Sequence, residues 1–81
     1  MEEKIRSYIE ENLLEGSETI ESDSPLYTSG LLSSMAHLKL INYLESTFDI
    51  SIPGDKISLD NFDTLGQIAG FTRQLKESGA A

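Results

Sequence analysis

The chain has no cysteine and only one histidine, so disulfides, thiolate metal sites and a histidine-built zinc site are all excluded. Basic residues are also scarce. Six Lys and Arg face fourteen Asp and Glu, a formal charge of −8 in 81 residues. Nucleic acid and anionic membrane both repel such a surface, whereas a partner with a basic patch is attracted and steered to it. No apolar run approaches the roughly 20 residues that span a bilayer. The opening Met1-Glu2-Glu3-Lys4 lacks the basic-then-apolar order of a secretory signal, and a cytoplasmic protein is expected. There is no internal repeat and no low-complexity tract. With 38% hydrophobic residues and no staple, stability must come from one modest core. Helices, which satisfy their own backbone locally, are the least demanding way to build it.

Helical periodicity is present where that argument needs it. Ile5, Ile9 and Leu13 recur every four residues with Tyr8 beside them, predicting a first helix over 1–14 that Gly16 ends. Residues 15–33 show no period and are rich in Ser, Thr, Gly and Asp. The spaced apolar residues Ile20, Leu26, Tyr27, Leu31 and Leu32 read as tethers that pin this long loop to the core. Ser33 is a candidate N-cap for a second helix over 34–48, whose inner stripe is Leu40, Ile41, Leu44 and Phe48. Met35 and Leu38 fall on the flank of that stripe. An extended connector ends at Pro53-Gly54, a short helix covers 57–62 with Phe62 as its anchor, and a last helix runs over 64–76.

The last helix opens with a Thr64-x-x-Gln67 capping box and buries Leu65, Ile68, Ala69, Thr72 and Leu75. Gly66 and Gly70 weaken it by about 1 kcal/mol each and are read as points of close helix approach. Residues from Lys76 to Ala81 are expected to fray. The fold expected is all-α: a single domain over 1–81, a small four-helix bundle of three main helices and one short one.

Chemistry concentrates at Ser29-Gly30-Leu31-Leu32-Ser33-Ser34-Met35, where a long loop delivers two serines to a helix start. A helix N-terminus offers unsatisfied N–H groups and about half a positive charge, which suits an anion such as a phosphodiester. On local grounds alone both serines are better read as caps. No Ser-His-Asp arrangement is present, and His37, three residues past Ser34, reads as a solvated helix residue. Asp55, Asp60 and Asp63 lack the alternating spacing of a calcium loop and read as turn and cap residues.

Three segments in order resemble the acyl carrier protein family, with its related peptidyl and aryl carriers: Pro25 to Met35, Leu44-Glu45-Ser46-Thr47-Phe48-Asp49-Ile50-Ser51-Ile52-Pro53, and Phe62-Asp63-Thr64-Leu65-Gly66-Gln67-Ile68. The first resembles the family's Gly-x-x-Asp-Ser-Leu signature, whose serine receives 4′-phosphopantetheine from coenzyme A. Four residues separate Gly30 from Ser34 and fourteen separate Ser34 from Phe48, as in the family, so the resemblance puts the attachment point at Ser34 and Ser33 at the family's Asp position. It implies a non-enzymatic, monomeric carrier whose cargo hangs as a thioester from a covalent phosphopantetheine arm. The implied partners are a phosphopantetheinyl transferase, an acyl- or aminoacyl-loading ligase and a downstream transferase or synthase. The cargo would be a fatty acyl, polyketide, aminoacyl or aryl group. Expected partner-contact residues are Met35, Leu38, Lys39, Asn42 and Phe62.

Two departures bear on this. Replacing the family's Asp by Ser33 keeps a cap but removes a charge that helps engage the transferase, and it is the feature that favours an alternative, an unmodified helical adaptor. The second helix carries Ala36, His37, Lys39 and Asn42 with Glu45 as its only acid, where fatty-acid carriers line it with acids. That pattern favours a carrier for specialised metabolism or amino-acid transfer.

Overall fold

The structure, a computed structural model, describes residues 1–14, 16 and 18–77. All regular elements among them are helical. α1 spans Glu2–Tyr8 and continues into a π-helical turn over Ile9–Leu13; α2 spans Ser34–Phe48; a 3₁₀ turn occupies Gly54–Lys56; α3 is Leu59–Phe62; and α4 is Leu65–Glu77. The architecture is thus an all-α bundle of three long helices and one short one. No described helix is long and apolar enough to cross a membrane.

The first helix departs from simple periodicity. Ile5 and Ile9 are buried, but the next core residue is Leu14, with Leu13 only partly covered. Leu14 N–H donates to Ile9 O at 2.9 Å, a five-residue step. That wider turn shifts the inward face by one residue, so Leu14 takes the place the four-residue rhythm assigned to Leu13. Gly16, at φ +73°, donates to Glu10 O at 2.7 Å and closes the end.

α2 has the regular ridge: Ala36, Leu40, Leu44 and Phe48, four apart, are buried, while Ile41 is half-buried. Tyr43 on its flank stacks on Tyr8 of α1, with ring centroids 3.9 Å apart and planes 11° from parallel. The two phenols reach across, Tyr8 donating to Lys39 O at 3.3 Å and Tyr43 to Lys4 O at 3.4 Å. Asp49 ends α2 in the left-handed region at φ 57°. Glu45 turns its carboxylate toward the connector and accepts from Ile52 N–H at 2.9 Å.

Where the sequence pattern predicts a short helix over 57–62, the helical turn is confined to Leu59–Phe62. The chain before it is the 3₁₀ turn, followed by Ile57 in extended geometry. Thr64 precedes α4 rather than beginning it, and the capping box forms in both directions: Thr64 N–H to Gln67 Oε1 at 3.0 Å, and Gln67 N–H to Thr64 Oγ1 at 3.1 Å. Leu65, Ile68, Ala69 and Thr72 face the core. Gly66 is a point of close approach, but to the long loop and not to a helix. Its N–H donates to Ser22 O at 2.9 Å, and a Cβ there would lie 3.3 Å from that oxygen. Gly70 has open space around it, so the close approach expected there is absent. Lys76, expected to fray, lies within α4 and donates through Nζ to Phe48 O at 3.0 Å, occupying a carbonyl at the end of α2. The expectation for residues 78–81 falls outside the described residues.

The long first connection is tied down. Ile20, Leu26 and Leu32 are buried in the core. Ile20 N–H donates to the Glu10 carboxylate at 2.8 Å, Leu26 N–H to Asp63 O at 2.6 Å, and Leu32 N–H to Leu26 O at 3.0 Å. Gly30, at φ +80°, makes the turn that brings the chain back, a conformation only glycine adopts freely. The loop therefore arrives at α2 along a defined path.

Candidate functional site

Ser33 and Ser34 are both exposed, and their roles divide. Ser33 is the N-cap of α2, with extended backbone, and its Oγ accepts from Ala36 N–H at 3.2 Å. Ser34 is the first helical residue. Its hydroxyl has no hydrogen-bond partner among the described residues, so it is free to react. The N–H groups of Ser34 and Met35 also lack an acceptor there, and the first turn of α2 contains no acid. These features fit a phosphodiester: an accessible hydroxyl, open N–H groups, the positive end of a 15-residue helix and no carboxylate in its first turn.

Beside Ser34 lies a groove of about 540 Å³ between the loop, α2 and α3. Leu32, Leu38, Ile57, Leu59 and Phe62 give it apolar walls; Tyr27, His37 and the serines Ser33, Ser34 and Ser58 are its polar members. Leu38 and Leu59 of this lining are 61% and 53% exposed, and Met35, next to Ser34 in the chain, is 66% exposed. Lys39 and Asn42 are exposed further along α2. Phe62, expected among the partner-contact residues, is only 2% exposed and forms part of the floor, its ring edge-on to Phe71 at 5.5 Å. Packing beneath α4 removes it from the surface.

His37 is the larger correction. It is half-buried, not solvated, and its Nδ1 lies 2.6 Å from the Tyr27 hydroxyl. Its ring is edge-on to Tyr27 at 5.3 Å and to Phe62 at 6.2 Å. Burial pushes the Tyr27 phenol up to about 12, so it stays protonated throughout the physiological range.

Tyr27 is placed by Asp63, just after α3. One Asp63 carboxylate oxygen accepts from Tyr27 N–H at 2.9 Å and Thr28 N–H at 3.0 Å; the other accepts from the Thr28 hydroxyl at 2.9 Å. These bonds, led by that from Thr28 N–H, hold the Asp63 carboxyl below its usual range against a smaller opposing effect of desolvation. A depressed carboxylate adds stability above its unfolded value, near 4, and loses it as pH falls through the folded value. Asp63→Asn should therefore lower the melting temperature at pH 7 and flatten the acid limb of the stability profile below about pH 4. Thermal unfolding from pH 2 to 7 reads both, and an unchanged limb would exclude Asp63 from the acid response. Nothing local flags this cluster, because Tyr27 and His37 are ten residues apart and Tyr27 and Asp63 thirty-six.

Residues 3–72 match the family described as "Phosphopantetheine attachment site". The chain belongs to that family. Its members are carriers, and this chain is a carrier protein, holding acyl or aminoacyl intermediates as thioesters on covalently attached 4′-phosphopantetheine. Among curated relatives, the D-alanyl carrier protein of Lactococcus lactis is 34% identical over 55 residues, 68% of this chain and 70% of that one. The D-alanyl carrier protein of Streptococcus thermophilus is 34% identical over 56 residues, 69% of this chain and 71% of that one. A chain in a solved structure, described as a crystal structure of an FAD-dependent dehydrogenase, superposes with a TM-score of 0.78 at 26% identity, covering 85% of this chain and 99% of that one.

Proposed function

We propose that Ser34 is the residue that carries the arm, and that the cargo is a small aminoacyl group delivered between a loading ligase and a downstream transferase. The observation that carries the first part is the position of Ser34: an unengaged, exposed hydroxyl at the start of α2 and at the mouth of the groove. The likeness to D-alanyl carriers supports the second, as does the character of α2. Glu45, its only acid, is turned to Ile52 N–H, so the exposed face offers Met35, Leu38, Lys39 and Asn42 and no free carboxylate. A partner is then selected by shape and apolar contact more than by charge.

When bound, the arm supplies the thiol on which cargo is held. The chain's own residues anchor and orient it. The serine needs no base here, since the transferase activates it. His37 is engaged by Tyr27, and among the described residues no carboxylate orients it, so nothing at the site favours a serine-hydrolase reading. A cytoplasmic monomer is the expected setting for such traffic.

The test is intact mass after incubation with coenzyme A and a broad-specificity phosphopantetheinyl transferase, with fragmentation to locate the adduct. One phosphopantetheine on Ser34 is expected; no adduct under conditions that modify a control carrier would favour the unmodified adaptor. Ser33→Asp should speed the modification in the same assay, because it restores the acid that related carriers present to the transferase while remaining a competent cap. An unchanged initial rate would show that this side chain contributes little to recognition.

A further inference from the structure

Tyr27 and His37 are the two polar ring side chains of a groove otherwise lined by five apolar residues and three serines. Apolar walls suit hydrocarbon, yet two polar side chains are held there together at 2.6 Å, and Tyr27 is fixed from behind by the bonds of Asp63 to its N–H and to Thr28. The hydrogen-bond inventory of the pair has a simple property. If the phenol donates to Nδ1, the imidazole keeps an N–H at Nε2 and the phenol oxygen keeps a lone pair. If Nδ1–H donates instead, the phenol keeps its proton and Nε2 keeps its lone pair. Either tautomer leaves at least one donor and one acceptor unused. No further hydrogen bond engages either ring among the described residues. Ionisation does not remove the phenol proton, given its position near 12.

A pair with one free donor and one free acceptor matches a secondary amide, which has one N–H and one C=O. Position selects which amide. His37 is three residues past Ser34, so their Cβ atoms are about 5–6 Å apart on one face of the helix. Helical side chains lean toward the N-terminus, which carries the imidazole over the turn that bears Ser34. An arm on Ser34 has, after its phosphodiester, a branched segment with geminal methyl groups, a hydroxyl and then the first of two amides. The methyl groups suit Leu32, Leu38 and Phe62, and the amide follows at the polar pair.

We propose that the Tyr27–His37 pair is an arm-binding subsite: it holds an amide of the carrier's own phosphopantetheine and lays the arm along the α2–α3 groove. This rests on attachment at Ser34. The contact is weak by design of its chemistry, since one neutral hydrogen bond at a partly exposed site shifts an equilibrium by about fivefold. The arm is then biased toward the groove and still free to be drawn out by an enzyme.

The same amide chemistry could come from an aminoacyl cargo, and the experiment separates the two. The chain is converted to its free-thiol holo form with isotope-labelled pantetheine, and mass fragmentation confirms the site. Solvent exchange of the two arm amides is then measured by NMR, together with cross-relaxation between the arm and the ring protons of His37. The expected result is exchange of one amide slowed about fivefold relative to free coenzyme A, with contacts to His37. Tyr27→Phe, which keeps the ring and its packing but removes the phenol from the pair, should move that exchange toward the free value. His37→Gln, which keeps a donor and an acceptor, should retain part of the protection. Equal exchange in the unsubstituted chain and Tyr27→Phe would overturn the subsite while leaving attachment intact. Protection that appears only after an aminoacyl group is loaded would overturn it too, assigning the pair to cargo. An adduct on a residue other than Ser34, or none, would overturn both the subsite and the attachment reading.

Discussion

Ser34→Ala should abolish phosphopantetheine attachment while leaving the fold unchanged. The substitution removes a hydroxyl that makes no hydrogen bond among the described residues, from an exposed position at the first turn of α2. Alanine is a better helix former than serine by a few tenths of a kcal/mol, about 0.5 at most, so helicity should hold or rise slightly. The cap is untouched, because it belongs to Ser33 and its bond to Ala36 N–H. Intact mass and far-ultraviolet circular dichroism read the two halves of the expectation together. Retained modification in Ser34→Ala would move the attachment point elsewhere, with Ser33 the neighbour to test next.

The largest stability loss is expected at Phe62. Its side chain is 2% exposed, lies at the junction of α3, α4 and the groove floor, and contacts the rings of His37 and Phe71. Phe→Ala at such a site costs about 3–5 kcal/mol, the lost transfer energy plus an unfilled cavity. A domain of this size has about 4–12 kcal/mol in total, so the change removes about a quarter or more of it. Each kcal/mol corresponds to about 4–8 °C, and the melting temperature should fall by about 12–40 °C. Phe62→Leu, which refills most of the volume, should recover much of that loss. A fall of only a few degrees for the alanine variant, measured by thermal unfolding, would show that the groove collapses onto the vacated space.

The features legible in the sequence are those whose partners are close in it. The Thr64–Gln67 box and the Ser33 cap each join residues three apart, so composition and spacing suffice to find them. The α2 ridge follows because a regular helix repeats its inward face every fourth residue. The loop tethers Ile20, Leu26 and Leu32 are visible as apolar residues in polar surroundings, since burial is the main reason for such residues in a segment without period. What escaped depends on the path of the chain. That Asp63 fastens Tyr27 and Thr28, or that His37 meets Tyr27, follows only once Gly30 has turned the loop back against α3. Phe62 was recognised as an anchor, yet its removal from the contact surface depends on how α4 packs beneath it. Lys76 looked like a fraying end because its acceptor, Phe48 O, lies twenty-eight residues away.

The π turn of α1 affects how this chain is set against its kin. Between Ile9 and Leu14 the backbone accommodates one residue more than an α-helical turn needs to connect the same two core positions. A relative whose first helix is regular throughout reaches its third core residue one position sooner. Pairing the two residue by residue without a break would match that residue with the partly covered Leu13 and leave Leu14 opposite a solvent position, or shift everything upstream out of step. A single gap placed among Glu10, Glu11 and Asn12 brings both ends back into register. The stretch before the long loop is thus where a one-residue length difference can be absorbed without disturbing the core.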